Sequence, residues 1–352
     1  MSAFSNTPIQ KIIFGSPGTG KSYKIDHEII PNELGIDVSK DTEKENIIKT
    51  VFHPEYTYGD FMGKLVPITK SGNIEYNFYE GHFLKAIARA YKNILSAKEG
   101  EKPKNVALVI DEINRGNSSA IFGTIFQLLD RNEDGWSSYG ISVSELEFHK
   151  ILTLIGFEES GSFGYYKYAK ARNAKVLEDY QDELSKLRIN VIGSSVVGNS
   201  MHIPNNLSIL ATMNTSDNSI YFMDSAFKRR WDWEFINWDE SKPPAPTYGN
   251  AGTLTQEEWK KLIKNLNSFI KKNHESVRGV EDKQIGYYFI KQPITADKIL
   301  NKLMFFLWDS VFNRDKKPLR DILKVDNSRL ITFGDFSKMH NEFIFSIMKL
   351  SV

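Results

Sequence analysis

The chain has 352 residues, and because a single hydrophobic core rarely extends over more than roughly 250 to 300 residues, two domains are expected. Its composition, 41% hydrophobic and 25% charged residues, is typical of a folded protein. Lys and Arg number 45 against 44 Asp and Glu, so no overall positive charge is available to hold nucleic acid or an anionic membrane. The absence of cysteine excludes disulfides, thiolate metal sites and cysteine nucleophiles.

The N-terminus lacks the apolar region of a signal peptide, and no apolar run reaches the roughly 18 residues of a membrane span. We therefore expect a cytoplasmic protein without membrane contact. The first motif lies so close to Met1 that little or no separate domain is expected before it.

The first predicted element is a short buried strand, Ile12–Phe14, which leads into a glycine-rich turn and then a helix over Ser22–Ile30. The turn matches the pattern G-x-x-x-x-G-K-[ST] of phosphate-binding loops. The predicted nucleotide-binding residues are Gly15, Pro17, Gly18, Thr19, Gly20, Lys21 and Ser22.

The chemistry of phosphate binding explains these residue types. Glycines let consecutive backbone N–H groups approach phosphate oxygens, and the helix that follows presents its positive end to the same phosphates. Lys21 would add a positive charge on the β and γ phosphates, and the Ser22 hydroxyl would be a ligand of Mg²⁺. An ordinary surface turn is the alternative, and the flanking strand and helix argue against it.

Regular elements alternate with polar segments up to residue 104. A strand is predicted at Ile47–Phe52, and then a loop at His53–Met62 whose aromatic residues pack against the core. A hairpin strand at Ile74–Phe78 and an amphipathic helix at Gly81–Tyr91 follow.

The strand Asn105–Asp111 is a continuous apolar run that ends in two carboxylates, Asp111 and Glu112. Such a run is typical of a parallel strand with helices on both faces, and an α/β sheet binds ligands at the carboxyl ends of its strands. Alone, a hydrophobic-Asp-Glu sequence is a weak signal. Downstream of a phosphate loop, Asp111 is expected to hold Mg²⁺ and Glu112 to polarise the attacking water.

A helix is predicted over Ser118–Asp130, followed by an insertion at about residues 131–200. The insertion contains Gly-, Ser- and Tyr-rich turns and a charge-rich helix over Tyr168–Leu187. The charges indicate a solvated helix face, with a pore or partner contact as the alternative.

A further strand, Leu207–Met213, ends at Asn214, whose amide is suited to orient the lytic water or to read the γ-phosphate beside Asp111. An ordinary turn asparagine is the alternative. The helix predicted over Ile220–Arg230 carries basic residues in its last turn, and one arginine there is explained by the helix dipole.

Two adjacent arginines, Arg229 and Arg230, stand directly before a predicted strand at Trp231–Phe235. This position suits an arginine finger that acts on the nucleotide of a neighbouring subunit.

The segment Lys242–Asn250 is a linker by composition, and the pattern beyond it is helical over Gln256–Lys272, Thr295–Phe312 and Phe336–Leu350. The sequence therefore predicts an α/β P-loop NTPase domain with a parallel sheet over residues 1–240 and a smaller helical lid domain over 251–352.

These motifs together resemble the AAA+ superfamily and, within it, the McrB-like branch, the nucleotide-driven subunits of McrBC-type restriction systems. The resemblance covers most of the chain. It is carried by Phe52–Phe61, Ile110–Asn117, Met213–Asp217, Asp224–Trp231 and Gln284–Phe289.

The resemblance implies a homo-oligomeric hexameric ring with Mg²⁺ and nucleotide at the subunit interfaces, GTP being favoured over ATP. It also implies an McrC-like nuclease partner, DNA translocation through the assembly and a role in defence against phage. The implied site residues are Gly18–Ser22 for phosphate, Asp111 for the metal, Glu112 for catalysis, Asn214 as sensor 1 with Asp217 beside it, and Arg229 or Arg230 in trans.

The chain also departs from the family pattern. Lys228 stands where an arginine is frequent, the insertion is long, and the lid has no arginine in an obvious sensor 2 context. The usual N-terminal domain that reads modified DNA is missing, so either the sequence is a piece of a longer protein or recognition lies in another chain. The sequence has no nuclease pattern of two acidic residues and a lysine in a convincing strand context, so DNA cleavage is not assigned to this chain.

Two other functions fit part of the pattern. A protein-remodelling AAA+ ATPase of the MoxR type shares the architecture without DNA translocation, and stimulation by a nuclease as opposed to a peptide substrate separates the two. A non-enzymatic nucleotide-gated scaffold is the third reading, against which the intact set of Asp111, Glu112, Asn214 and the two arginines argues.

Overall fold

The fold is described from a computed structural model, in residues 7–159, 166–168, 181–189, 191–192, 195–196, 200–214, 221–240 and 254–350. The chain divides into two compact units. Unit 1 comprises Met1–Ile12, Ser22–Thr212 and Ser219–Trp233, and unit 2 comprises Ile13–Lys21, Met213–Asn218 and Glu234–Val352. The predicted linker Lys242–Asn250 lies outside the described residues, and the predicted domain boundaries stay a prediction.

Short strands alternate with helices along the described residues. In chain order, the strands are β1 Gln10–Gly15, β2 Ile47–Val51, β3 Gly63–Lys70, β4 Asn73–Glu80, β5 Val106–Asp111, β6 Ile141–Ser142, β7 Phe157–Glu159, β8 Tyr166–Tyr168, β9 Val191–Ile192, β10 Ser195–Val196, β11 Ser200–Met201, β12 Leu207–Asn214 and β13 Asp232–Phe235.

Five strands form the central sheet, in the order β13-β1-β12-β5-β2. Strands β12 and β2 both pair with β5 in parallel, and the register places Ala211 opposite Ile110 and Val51 opposite Asp111. Nearly all residues of β5 and β12 are buried, as expected for the middle of a parallel sheet between helices. The predicted α/β fold with a parallel-sheet core is therefore confirmed.

The helices that precede Arg229 in the chain are mostly short. They are the α-helices Lys21–Lys24, Asp41–Lys44, Tyr58–Phe61, His82–Ser96, Ser118–Phe122, Glu145–Ile155, Gln181–Lys186 and Ser225–Lys228, the π-helix Ile25–Glu33 and the 3₁₀-helix Gly123–Leu129.

The first helix departs from the predicted α-helix over Ser22–Ile30, because it continues from Ile25 to Glu33 as a π-helix that contains Pro31. Proline has no N–H to donate to the carbonyl four residues earlier, that of His27. The Asn32 side-chain amide donates to the His27 carbonyl instead, over 3.5 Å.

Two other helices of unit 1 also differ from the prediction. The predicted helix Ser118–Asp130 is α-helical only to Phe122, because Gly123 takes φ +47° and the chain continues as a 3₁₀-helix. The predicted helix Ile220–Arg230 is α-helical only at Ser225–Lys228, where the Asp224 carboxylate caps the helix by accepting from the Phe227 N–H at 2.7 Å.

The aromatic loop that follows β2 packs into the core of unit 1, as predicted. Phe52 and Phe61 are fully buried, and the Tyr56 ring stacks on Phe52 with 4.9 Å between ring centroids. The Tyr56 hydroxyl lies 2.8 Å from Nδ1 of His82. Burial raises the pKa of Tyr56 to about 12 and lowers the pKa of His82.

The insertion is closed at its base by Arg131. Its guanidinium donates to the carbonyls of Gly135, Ile203, Pro204 and Leu207 over 3.0–3.3 Å, so it joins the two ends of the insertion. A helix that the sequence pattern does not predict, Glu145–Ile155, lies within the insertion. Of the predicted charge-rich helix, Gln181–Lys186 is helical, and residues 169–180 lie outside the described part of the chain.

Unit 2 contains the helical lid. Its helices are Gln256–Lys272, His274–Ser276, Val280–Lys283, Tyr287–Phe289, Ala296–Lys298, Ile299–Met304, Leu307–Val311, Lys317–Leu323, Phe333–Lys338 and His340–Met348. The first has the predicted bounds, whereas two segments of the predicted helix Thr295–Phe312 are π-helical and the last predicted helix is divided at Met339. Buried side chains, including Trp259, Phe312 and Phe343, form the core of the lid.

No helix among the described residues is long and apolar enough to cross a membrane.

Candidate nucleotide site

The glycine-rich loop of unit 2 has the backbone that its sequence predicts. Gly15, Gly18 and Gly20 have φ angles of +155°, +79° and +88°, which side chains other than hydrogen rarely allow. A Cβ on Gly15 would also lie 2.4 Å from the carbonyl oxygen of Ile236. The glycines are therefore required by the path of the loop.

Lys21 is turned back over this loop. Its ammonium group donates to the carbonyls of Gly15 at 2.9 Å and Ser16 at 3.0 Å, and the residue is only 8% exposed. The Thr19 hydroxyl also donates to the Ser16 carbonyl, at 3.1 Å. The positive charge of Lys21 is thus held at the centre of the loop.

The segment Gln284–Phe289 at the entry to the lid binds the same loop through its backbone. The N–H of Gly286 donates to the Pro17 carbonyl at 2.9 Å, and that of Tyr288 donates to the Gly18 carbonyl at 2.8 Å. The approach is so close that a Cβ on Gly286 would lie 2.2 Å from the Gly18 oxygen. The lid entry therefore fixes the middle of the phosphate loop.

Two buried polar side chains of helix Gln256–Lys272 hold the lid entry in place. The Asn267 amide makes two hydrogen bonds with the backbone of Ile285, at 2.8 and 2.9 Å. The Trp259 indole N–H donates to the Tyr287 carbonyl at 2.9 Å. Loop, lid entry and first lid helix consequently form one hydrogen-bonded series within unit 2.

In unit 1, Ser22 and Asp111 come together. Ser22 follows Lys21 directly in the chain, and its hydroxyl lies 3.4 Å from Asp111 Oδ1 at the carboxyl end of β5. These are the two residues that the sequence proposes as metal ligands.

Their chemistry fits Mg²⁺. A hydroxyl and a carboxylate are hard oxygen ligands, and Mg²⁺ in nucleotide sites takes few protein ligands because water and phosphate oxygens complete its octahedron. No cluster of three or more His, Cys, Asp or Glu side chains in the described ranges could hold a metal instead.

Glu112 has an unusual backbone. Its φ is +56°, in the left-handed region that costs a residue with a Cβ about 1–2 kcal/mol. The N–H of Glu112 donates to the Thr212 hydroxyl at 3.2 Å, and the N–H of Ile113 donates to the Thr212 carbonyl at 3.0 Å. The chain thus turns sharply at the proposed catalytic carboxylate, directly after the strand.

Of the other predicted residues, Asn214 is the last residue of β12 and lies two residues beyond Thr212. Asp217 lies outside the described residues.

The two adjacent arginines have different environments. Arg230 donates to Asp130 Oδ2 at 2.7 Å and to the Ala226 carbonyl at 2.8 Å, and its guanidinium lies 3.9 Å from the centre of the Phe126 ring. Its side chain is only 9% exposed. Arg229 is exposed.

Three features of the site are not predicted by the sequence. Thr212 reads in the sequence as an ordinary β-branched strand residue, and Asp130 reads as the end of a helix. Gly286 lies within a motif that the resemblance singles out, but nothing in the sequence says that it touches the phosphate loop. In each case the partner is remote in sequence, so local pattern carries no signal.

Comparison with known proteins gives two relatives. The chain is 30% identical to the type II restriction enzyme BsuMI component YdiS of Bacillus subtilis, over 98% of this chain and 91% of the relative. It is 22% identical to the type IV methyl-directed restriction enzyme EcoKMcrB subunit of Escherichia coli, over 63% of this chain and 34% of that subunit.

No family model matches the chain. A solved structure of a proposed ATPase from Cytophaga hutchinsonii aligns over 96% of this chain and 85% of that one, at 12% identity and with a TM-score of 0.26.

Proposed function

Because the chain belongs to the McrB-like AAA+ ATPases of restriction systems, we propose that it hydrolyses a nucleoside triphosphate with Mg²⁺ at the residues described above. One observation supports these residue roles most directly. Ser22, which directly follows the glycine-rich loop and its lysine, lies within hydrogen-bonding distance of Asp111 at the end of β5. This is the pairing that a P-loop NTPase requires for its metal.

Each residue has a separate task in the proposed reaction. Lys21 and the backbone N–H groups of Gly18–Ser22 bind the β and γ phosphates. Ser22 and Asp111 would hold Mg²⁺, which neutralises charge on the phosphate oxygens when bound. Glu112 accepts a proton from the attacking water at its carboxylate, and Asn214 orients that water with Asp217 beside it.

We propose further that the active form is a ring of identical chains, hexameric as the resemblance implies. In this ring, an arginine from the neighbouring subunit stabilises the charge of the transition state. Arg229 suits this role better than Arg230, because Arg230 is held by Asp130 and Phe126 of its own chain. Such arginine fingers contribute roughly 10³- to 10⁵-fold to turnover.

The proposed hydrolysis is tested by phosphate release in multiple turnover, with ATP and GTP. Glu112→Gln should bind nucleotide like the wild type but lose turnover, since the amide cannot accept the proton of water. Lys21→Ala should weaken nucleotide binding, because it removes a charge from the phosphates. Wild-type turnover in Glu112→Gln, or unchanged affinity in Lys21→Ala, would remove the residue concerned from its role.

The remaining proposals concern the assembly. A separate nuclease subunit would stimulate turnover, GTP would be preferred to ATP, and DNA would be translocated by the ring. A local surface supports the DNA contact: helix Gln256–Lys272 exposes five lysines and carries no acidic residue after Glu258. These are Lys260, Lys261, Lys264, Lys271 and Lys272. A basic row of this kind suits the phosphates of a nucleic acid.

Turnover of ATP and of GTP, each with and without duplex DNA and the separate nuclease subunit, tests these proposals together. We expect the nuclease subunit to raise turnover, and DNA to raise it further at low salt. The variant Lys260→Glu/Lys264→Glu should keep basal turnover and lose the effect of DNA. An effect of DNA that this variant and high salt both leave intact would argue against the lysine surface.

A further inference from the structure

Thr212 occupies an inner position of β12, two residues before the strand ends, and is 3% exposed. Its hydroxyl lies 2.9 Å from Asp111 Oδ1 and 3.2 Å from the backbone nitrogen of Glu112. Both neighbours belong to the proposed catalytic machinery, whereas Thr212 itself would touch neither nucleotide nor metal.

The two contacts fix the direction of both hydrogen bonds of the hydroxyl. Because a carboxylate only accepts and an N–H only donates, the hydroxyl must give its proton to Asp111 and receive the Glu112 N–H on a lone pair. The Thr212 carbonyl accepts from the N–H of Ile113, at 3.0 Å. One residue of β12 therefore binds three consecutive residues at the end of β5.

The Glu112 backbone makes this arrangement significant. A left-handed φ of +56° is unfavourable for glutamate and persists only where the surroundings hold it. The hydrogen bonds from Thr212 to residues on both sides of that dihedral provide such support. They hold the Asp111 carboxylate against the Thr212 hydroxyl and direct the chain through the turn at Glu112.

We propose that Thr212 is a positioning residue for hydrolysis, which acts by orienting the Asp111 carboxylate and by fixing the backbone turn that presents Glu112. This inference rests on the proposed function of these two carboxylates. Partners of this kind, one step removed from the metal, typically change metal affinity or activity by about 10- to 100-fold when removed.

The decisive variant is Thr212→Val, which keeps the shape of the side chain and removes the hydroxyl. Thr212→Ser restores the hydroxyl without the methyl group. The matched control is Ser208→Ala on the same strand: Ser208 is 2% exposed, and its hydroxyl accepts from the Ile9 N–H at 3.0 Å. Both Thr212→Val and Ser208→Ala leave a backbone N–H without its acceptor, so their effects on stability should be similar.

Three quantities are measured for each variant: turnover, the thermal unfolding midpoint and the affinity for a fluorescent nucleotide with and without Mg²⁺. We expect Thr212→Val to lose about 10- to 100-fold in turnover and to need more Mg²⁺ to tighten nucleotide binding, with unchanged affinity in EDTA. Thr212→Ser should recover most of the turnover and the wild-type Mg²⁺ requirement. Ser208→Ala should lower only the unfolding midpoint.

The inference is overturned if Thr212→Val matches Ser208→Ala in turnover and in Mg²⁺ requirement, or if Thr212→Ser is as impaired as Thr212→Val. A wild-type chain that binds nucleotide but hydrolyses none contradicts the proposed function itself. In that case the Mg²⁺ requirement for nucleotide binding still decides the role of Thr212 towards Asp111.

Discussion

At the scale of single residues, the contrast between Arg229 and Arg230 shows how neighbours in sequence acquire different tasks. Arg230 combines an ion pair, a backbone hydrogen bond and a contact with an aromatic ring, all within unit 1. A guanidinium that is held in this way stabilises the chain, and it would have to leave these partners to reach another subunit. Arg229 is exposed and would not have to break these contacts to reach another subunit.

We therefore expect Arg229→Ala and Arg230→Ala to have different effects, the first on turnover and the second on stability. Arg229→Ala should lower turnover by roughly 10³-fold or more while its unfolding midpoint stays that of the wild type. Arg230→Ala should be destabilised by about 1–3 kcal/mol, because it removes two hydrogen bonds and an aromatic contact of a nearly buried guanidinium, while the Asp130 that it leaves behind is partly exposed to solvent. Thermal unfolding and phosphate release check both, and the reverse order would assign the finger to Arg230.

The sequence predicts residues of this site where their chemistry is local. Lys21 and Ser22 are identified because the loop motif fixes their spacing, and Asp111 because it ends an apolar run. The difference between Arg229 and Arg230 depends on Asp130, which is 100 residues away and has no motif of its own. Such a pair becomes visible only once the chain is folded.

At the scale of elements, the phosphate loop and the lid entry depend on each other. The loop offers the carbonyls of Pro17 and Gly18, and the lid entry supplies the N–H groups of Gly286 and Tyr288. Gly286 has φ −88° and ψ 170°, which any residue can adopt, so its requirement for glycine comes from contact alone.

This contact gives a prediction for Gly286→Ala. The new methyl group would meet the Gly18 carbonyl at 2.2 Å, and overpacking of this kind costs about 1–3 kcal/mol. The loop must shift to relieve it, so nucleotide affinity and the unfolding midpoint should both fall. Gly334→Ala is the control, because a Cβ there would lie 3.4 Å from its nearest neighbour, Thr332 Oγ1. Wild-type nucleotide affinity in Gly286→Ala would show that the lid entry does not fix the loop.

Elements are predicted best where the sequence pattern is long and regular. Helix Gln256–Lys272 has its predicted bounds, since an apolar face and a Thr255 cap mark it clearly. The helix after the phosphate loop differs from its prediction, because it continues as a π-helix around Pro31, which cannot donate a backbone hydrogen bond. Hydrophobic periodicity does not register such a change in hydrogen bonding.

For the whole molecule, we propose that active sites are shared between subunits. Each site would combine Glu112 of one chain with Arg229 of the next, so a single chain carries one half of each of two different sites. The interfaces of such a ring are heterologous, with a different surface on each side.

Mixing two inactive variants tests whether the sites are shared. Glu112→Gln and Arg229→Ala are purified separately, combined in equal amounts, allowed to exchange subunits and assayed for phosphate release. Random mixing places an intact Glu112 beside an intact neighbouring Arg229 at about a quarter of the interfaces, so we predict that turnover returns in the mixture. A mixture that assembles with magnesium nucleotide yet stays as inactive as its separate components would show that Glu112 and Arg229 do not act together across an interface.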